Sequence, residues 1–330
     1  MARPLRVQFE DAIYHLCARG NARERIFRGE KDQAQFLKLL EESAERFGVS
    51  IFCFVLMGNH FHLIAQTHRA NLTRWMHWLS VAYSVYFNRR HRRSGHLFQG
   101  RYKSFLVQGN EGYLLTLSRY VHLNPVRGIS LGRGTPSERR ERLRAFKWSS
   151  YRGYAGLGRQ FSFVREGAVM GSLAGGLGAQ RQRLEYRRYV EEGLLREIEN
   201  PFELVKWQAV LGDECFVQKV RDGVSKMGRG SREIKSVRRM DPAMSWEQVL
   251  QGVAKKYKVQ MKQLVEGEHG LGARNVAMWM LWEGGGRTLR EIGELFGGID
   301  YAAVAQRIRR ARQAHNEKSA LRLRQEILNI

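Results

Sequence analysis

The hydrophobic positions change period several times along the first 125 residues. Residues 11–19, DAIYHLCAR, read as a strand that ends at Gly20-Asn21. Phe36, Leu37, Leu39, Leu40 and Phe47 then recur at helical spacing among charges, which predicts an amphipathic helix over 30–47 stopping at Gly48. FVLMGNHFHLIAQ (54–66) reads as a buried strand, a short hairpin break at Gly58-Asn59, and a second strand. Leu72, Trp75, Met76, Leu79, Ala82, Tyr83 and Tyr86 line one side of a helix over 71–90, with Asn71 as its cap. GHLFQGRYKSFLV predicts a bent strand or hairpin with Gly95 and Gly100 at the bends. Asn110 caps a further helix, EGYLLTLSRYVHL, which Pro125 terminates. Strand, helix, strand, strand, helix, strand, helix is the order of a split βαβ fold. The expected class is α+β, with helices on one face of an antiparallel sheet.

Beyond residue 130 the pattern is less regular. A charged segment (RGTPSERRERLRAFK) precedes WSSYRGYAG, residues 167–180 read as a glycine-rich loop, and 181–225 return to helical spacing. MGRGSREIKSVRRMDP (227–242) reads as a basic linker, and everything from Ser245 onward is helical. No internal repeat is found. The expected domains are 1–156, a helical or linker region 157–240, and an all-α domain 241–330.

Composition adds a partner. In 330 residues, 43% hydrophobic, lysine and arginine total 56 against 32 acids, a net charge of +24. Such self-repulsion argues for a polyanion, nucleic acid first and an anionic membrane surface second. No window approaches 18 consecutive apolar residues, and MARPLRVQFEDAIYH lacks the apolar core of a signal peptide. Cys17, Cys53 and Cys215 are widely spaced and form no CxxC pair. They read as small buried hydrophobes in a reducing compartment, and the expected location is cytoplasmic, with no membrane partner.

The candidate chemistry starts from His60 and His62, which share one face of a strand while Phe61 takes the other. They read either as half of a metal site or as two polar groups on an exposed sheet face. On the later helix Leu114, Leu117 and Val121 form one stripe, and Tyr120 and Asn124 lie one turn apart at its edge. A divalent metal held by His60, His62 and Asn124 would keep open positions for phosphate oxygens, and Tyr120 would then serve as nucleophile. The plainer alternative makes Tyr120 a boundary tyrosine. His15, His122 and His269 read as ordinary polar-edge histidines.

Four blocks, RGNARERIF, FVLMGNHFHLI, SGHLFQGRYKSFLV and YLLTLSRYVHLNPVRG, occur in that order and resemble the REP-associated tyrosine transposases, single-tyrosine members of the HUH (His-hydrophobic-His) nucleases. The resemblance covers about residues 5–156. It implies a ferredoxin-like core, His60 and His62 as metal ligands, Asn124 as the third ligand and Tyr120 as nucleophile. It also implies Mg²⁺ or Mn²⁺ dependence and single-stranded hairpin DNA as substrate. Relatives among insertion-sequence transposases often carry Gln where this chain has Asn124. Arg19 and Asn21 resemble the family's entry segment and are expected to touch DNA. Arg89, Arg90, Arg92, Arg93, Arg101 and Lys103 are expected to meet phosphates, with Tyr83, Tyr86, Phe87, Phe98 and Tyr102 interleaved for base stacking.

Residues 273–312 give short helices separated by glycines, a helix-turn-helix pattern. Over about 70 residues this end resembles the DNA-binding domain of the DnaA replication initiator, most clearly at Arg274, EIGELFGG and Asp300. It departs from that family at Tyr301-Ala302-Ala303. The resemblance implies duplex DNA as partner, with Arg274, Arg290, Tyr301 and Arg307 as contacts. The leading expectation is a metal-dependent, single-tyrosine DNA endonuclease and strand transferase. A non-catalytic DNA-binding regulator on the same fold is the alternative, and a metallohydrolase without a covalent step is a third reading.

Overall fold

The computed structural model describes residues 7–127, 132–158, 160–171, 173, 178–195, 201–206, 209–226, 245–267, 272–283, 287–315, 323, 326 and 327. The basic linker expected over 227–242, His269 and the glycine run 284–286 lie outside the described residues. The chain divides into two compact units, Gln8–Pro201 and Phe202–Ile330.

In the first unit β1 (Ala12–Arg19), α1 (Glu30–Phe47), β2 (Val49–Met57), β3 (His60–Thr67), α2 (Leu72–Arg90) and β4 (Lys103–Val107) follow the expected order. The strands lie in the order β2-β3-β1-β4, and the three pairings are antiparallel. This is the ferredoxin-like arrangement, and the fold is α+β as the pattern predicts. The alternation of β3 fixes the two faces. Phe61 packs on Phe36 of α1 at 4.8 Å between ring centroids. With Phe27, Tyr83, Phe87 and Phe98 it fills the core between the sheet and the α1–α2 layer. His62 faces the other way, towards Tyr120 of α3 (Glu111–Leu123). The two helices of the split βαβ unit thus cover one face, and α3 covers the other.

Asn110 caps α3 through its side-chain oxygen, which accepts from Tyr113 N at 3.0 Å. Asn71 precedes α2 without capping it: its Nδ2 donates to Phe47 O at 2.8 Å, and its side chain accepts no cap bond.

The first compact unit runs on to Pro201. Sheet chemistry accounts for part of that reach. β2 is an edge strand, and 148–165 cover that edge, with Leu56 N donating to Trp148 O (2.8 Å), Ser150 N to Phe54 O (3.1 Å) and Arg165 N to Ile51 O (2.7 Å). α4 (Pro136–Ala145), α5 (Tyr151–Tyr154), α6 (Gly167–Met170) and α7 (Ala179–Glu192) complete the unit. The expected loop over 167–180 therefore contains a helical turn, since Val169 and Met170 find apolar cover. Glu191 of α7 joins these helices. It is nearly buried, accepts two bonds from Arg144 at 2.7 Å and one from Tyr151 Oη at 3.0 Å.

The second unit is helical: α8 (Glu214–Lys226), α9 (Trp246–Tyr257), α10 (Met261–Glu266), α11 (Gly272–Glu283), α12 (Leu289–Leu295) and α13 (Tyr301–Gln313). Leu250, Val253, Met278, Leu281, Ile292, Phe296, Val304 and Ile308 form its core. α12 and α13 meet through Gly297 and Gly298, both at positive φ (87° and 76°), a conformation glycine adopts without strain. Asp300 then caps α13 by accepting from Ala302 N at 2.7 Å.

Candidate active site

The histidine strand is set by the turns beside it. Gly20 N donates to Asn59 O at 2.9 Å, and Ile26 N and Phe27 N both donate to Gly58 O. A Cβ on Gly20 would sit 2.1 Å from Glu24 O, so the tight return of the 20–24 loop on itself requires glycine there. Asn59 links the turn to the site. Its Nδ2 donates to Arg23 O (3.1 Å) and its Oδ1 meets His60 Nδ1 at 2.7 Å. A carboxamide oxygen only accepts, so His60 carries its proton on Nδ1 and keeps the Nε2 lone pair.

His62 stands edge-to-face with His60, ring centroids 5.1 Å apart, and edge-to-face with Tyr120 at 6.2 Å. Its Nδ1 meets Nε2 of the buried His15 at 2.9 Å. Both site histidines hold their protons weakly. Burial, helped by the Arg19 charge, lowers His60 to about 4. Burial, then the charges of His15, His60 and Lys103, pushes His62 well below its usual value. Burial alone lowers His15 to about 3. Neutral imidazole is the form that ligates a metal. Asn124 ends α3 one turn after Tyr120, and its Nδ2 donates to Tyr120 O at 2.9 Å, leaving Oδ1 as acceptor. The Arg127 guanidinium lies over the Tyr120 ring, 5.2 Å from its centroid. Among the described residues no group of three His, Cys, Asp or Glu is gathered for a metal. The candidate donors are two imidazole Nε2 atoms and one amide oxygen, a set suited to a small divalent cation.

α3 is pinned from behind by a buried polar chain. His122 Nδ1 meets Tyr186 Oη of α7 at 2.7 Å, and its Nε2 meets Ser150 Oγ at 2.8 Å. Tyr186 donates to Ser118 Oγ (2.9 Å), Ser118 donates to Leu115 O, and Phe54 N donates to Ser150 Oγ. One proton assignment satisfies every link when His122 is neutral, and burial lowers that imidazole to about 3. His15 and His122 are therefore interior groups, and the polar-edge reading of both is corrected. The signal for His122 was its i,i+4 spacing from Ser118, which puts two polar groups on one helix face.

The expected DNA contacts divide. Arg19, Asn21, Arg89, Arg92, Arg101 and Lys103 are exposed. Arg19 pairs across the sheet with His60, and Lys103 with Cys17. Arg90 and Arg93 are partly neutralised, Arg90 by buried Asp32 (3.2 Å) and Arg93 by Glu24 (3.1 Å). Tyr83, Phe87 and Phe98 are core residues and cannot stack bases. In the second unit Arg290 and Tyr301 are exposed and Arg307 half-buried. Arg274 is the correction there. It is 5% exposed and donates to Val265 O (2.9 Å), Phe296 O (2.8 Å) and Gly267 O, so it braces the α10–α11 loop against the end of α12 rather than reaching a phosphate.

No curated protein matches the chain. A solved structure described as a REP-associated tyrosine transposase bound to a REP hairpin aligns with 50% of this chain and 98% of its own, at 12% identity and a TM-score of 0.38. No helix among the described residues is long and apolar enough to cross a membrane. Residues 8–124, which hold β1 to α3 with His60, His62, Tyr120 and Asn124, match the family model described as "Transposase IS200 like".

Proposed function

We propose that the chain is a single-tyrosine DNA nuclease and strand transferase acting on single-stranded hairpin DNA. The observation that carries the reading is the meeting of His60, His62 and Tyr120, drawn from two separate elements, beside the cations Arg19 and Lys103. The Tyr120 oxygen attacks a backbone phosphorus, a tyrosyl–phosphorus bond forms, and the bond to the 3′-oxygen breaks. That oxygen takes up a proton and leaves as a 3′-hydroxyl, while the 5′-phosphate stays on Tyr120. The reverse attack by a 3′-hydroxyl reseals or joins strands. The positive charge of Arg127 over the ring favours the phenolate. His60, His62 and Asn124 would hold Mg²⁺ or Mn²⁺, which when bound supplies charge neutralisation at the phosphate oxygens. Arg19, Asn21, Lys103, Arg89, Arg92 and Arg101 bind the strand's backbone. In the second unit, α12, the glycine turn and α13 form a helix-turn-helix that holds duplex DNA through Arg290, Tyr301 and Arg307. The test is a labelled hairpin oligonucleotide from the flanks of the gene, incubated with protein and Mn²⁺ and run on a denaturing protein gel. The label should move with the protein. Tyr120→Phe should abolish the adduct while DNA binding persists, and full cleavage by that variant would refute the nucleophile assignment.

A further inference from the structure

We infer that His15 is a positioning residue that decides which nitrogen of His62 is left to ligate a metal, an inference that rests on the metal-assisted reading above. The two facing nitrogens, His15 Nε2 and His62 Nδ1, are 2.9 Å apart and share one proton between them. If His15 holds it, the proton of neutral His62 sits on Nε2 and that atom cannot bind a cation. If His62 holds it on Nδ1, the Nε2 lone pair is available. His60 settles the same question differently, because its Nδ1 faces the acceptor-only Oδ1 of Asn59 at 2.7 Å. Each histidine that ligates an ion must keep one ring nitrogen unprotonated, and the site gives each a hydrogen-bond partner at Nδ1. Outer partners of this type orient metal-binding histidines in general.

The surroundings of His15 suit this role. It is 1% exposed and lies one register step from His62 on the neighbouring strand, since Cys17 pairs with His62 and His15 with Ile64. Its ring is stacked between His62 (5.1 Å, 29°) and Phe105 of β4 (5.9 Å, 26°). Phe105 is its register partner on the other side. The stack fixes the ring plane and keeps Nε2 aimed at His62.

The experiment uses the full-length chain without DNA. Long-range ¹H–¹⁵N spectra of the metal-free protein report the tautomer of His62, and calorimetric titration with Mn²⁺ reports affinity. The wild type should show His62 protonated at Nδ1. His15→Phe, which keeps the stacked ring, should bind Mn²⁺ about 10–100-fold more weakly. His15→Gln, which returns an acceptor near the old Nε2, should recover most of the loss. A wild-type His62 protonated at Nε2, or unchanged Mn²⁺ affinity in folded His15→Phe, would overturn the inference. Should His15→Phe fail to fold, the wild-type tautomer and His15→Gln decide. Absence of Mn²⁺ binding by a wild type whose His62 is protonated at Nδ1 would sink the metal reading while upholding the tautomer control by His15.

Discussion

Removing one hydroxyl on α7 should disturb α3, the helix that carries Tyr120. Tyr186→Phe deletes the oxygen that meets His122 Nδ1 at 2.7 Å and donates to Ser118 Oγ at 2.9 Å. Both partners are fully buried, so no water replaces the lost oxygen. Stranding the His122 N–H costs about 1–3 kcal/mol, and losing the bond into Ser118 about 0.5–1.5 kcal/mol more. Ser118 itself stays satisfied by Leu115 O. The change should therefore destabilise the first unit by about 2–4 kcal/mol. For a unit of this size each kcal/mol moves the melting midpoint by about 2–4 °C, so calorimetry should show a fall of at least about 4 °C. Adduct formation should fall further than the loss of folded protein explains, because Ser118 and His122 flank Tyr120 on α3. Tyr189→Phe is the control: its half-exposed ring lies under Arg119 (4.2 Å), and it should melt as wild type does. A Tyr186→Phe protein with an unchanged midpoint would refute the clamp.

Other outcomes follow from the same geometry. His60→Ala and His62→Ala should each abolish cleavage measured on hairpin DNA, Asn124→Ala should cost less where water replaces its oxygen, and EDTA should stop the wild type until Mg²⁺ or Mn²⁺ is restored. Acid should destabilise the first unit: His15 and His122 titrate at about 3 when folded against the ordinary 6.5, so the unfolded chain binds more protons below pH 6.5. Stability is then complete above about pH 6.5 and lost as pH falls towards 3, by up to about 1.4 kcal/mol per pH unit for each residue, and urea midpoints at pH 7.5 and 5 should differ accordingly. Arg274→Ala should lower the melting midpoint of the second unit, through about 1–3 kcal/mol lost at its carbonyl partners, while leaving the salt dependence of duplex binding unchanged. Arg307→Ala should instead weaken duplex binding and reduce the salt slope by about 1.

The parts legible in the sequence are those where a single period governs. The six elements of the split βαβ unit, the Asn110 cap and the shared face of His60 and His62 follow from local patterns, because alternation and helical spacing express one buried side each. The site's partners were less visible. Nothing local links His15 to His62, since antiparallel register between β1 and β3 decides that they are neighbours. Tyr83, Phe87 and Phe98 looked available for stacking because aromatic residues interleaved with arginines look alike whether the ring points inward or out. The reach of the first unit to Pro201 depends on Glu191 and Tyr186 finding partners far back in the chain, and charged helices such as α4 carry little apolar pattern to announce it. Arg274 misled for a related reason: a motif match fixes the residue, but burial decides whether its donors go to carbonyls or to phosphates.

The electrostatics of the site join its two requirements. On the proposed reading, a net charge of +24 draws in a polyanion, yet a site of imidazole ligands works only if those imidazoles stay neutral. Arg19 and Lys103 serve both ends. Each stands near enough to a site histidine to resist its protonation, Arg19 at His60 and Lys103 at His62. Each is also exposed and so able to meet a phosphate. A carboxylate in either position would raise the histidine pKa towards neutrality and repel the strand. Neutral polar residues there would weaken strand binding and leave burial alone to hold the histidines unprotonated. On the proposed reading, the cations beside the His60–His62 strand therefore serve the ligand chemistry as much as DNA binding. The same charges spread elsewhere on the surface would draw DNA in without tuning the imidazoles.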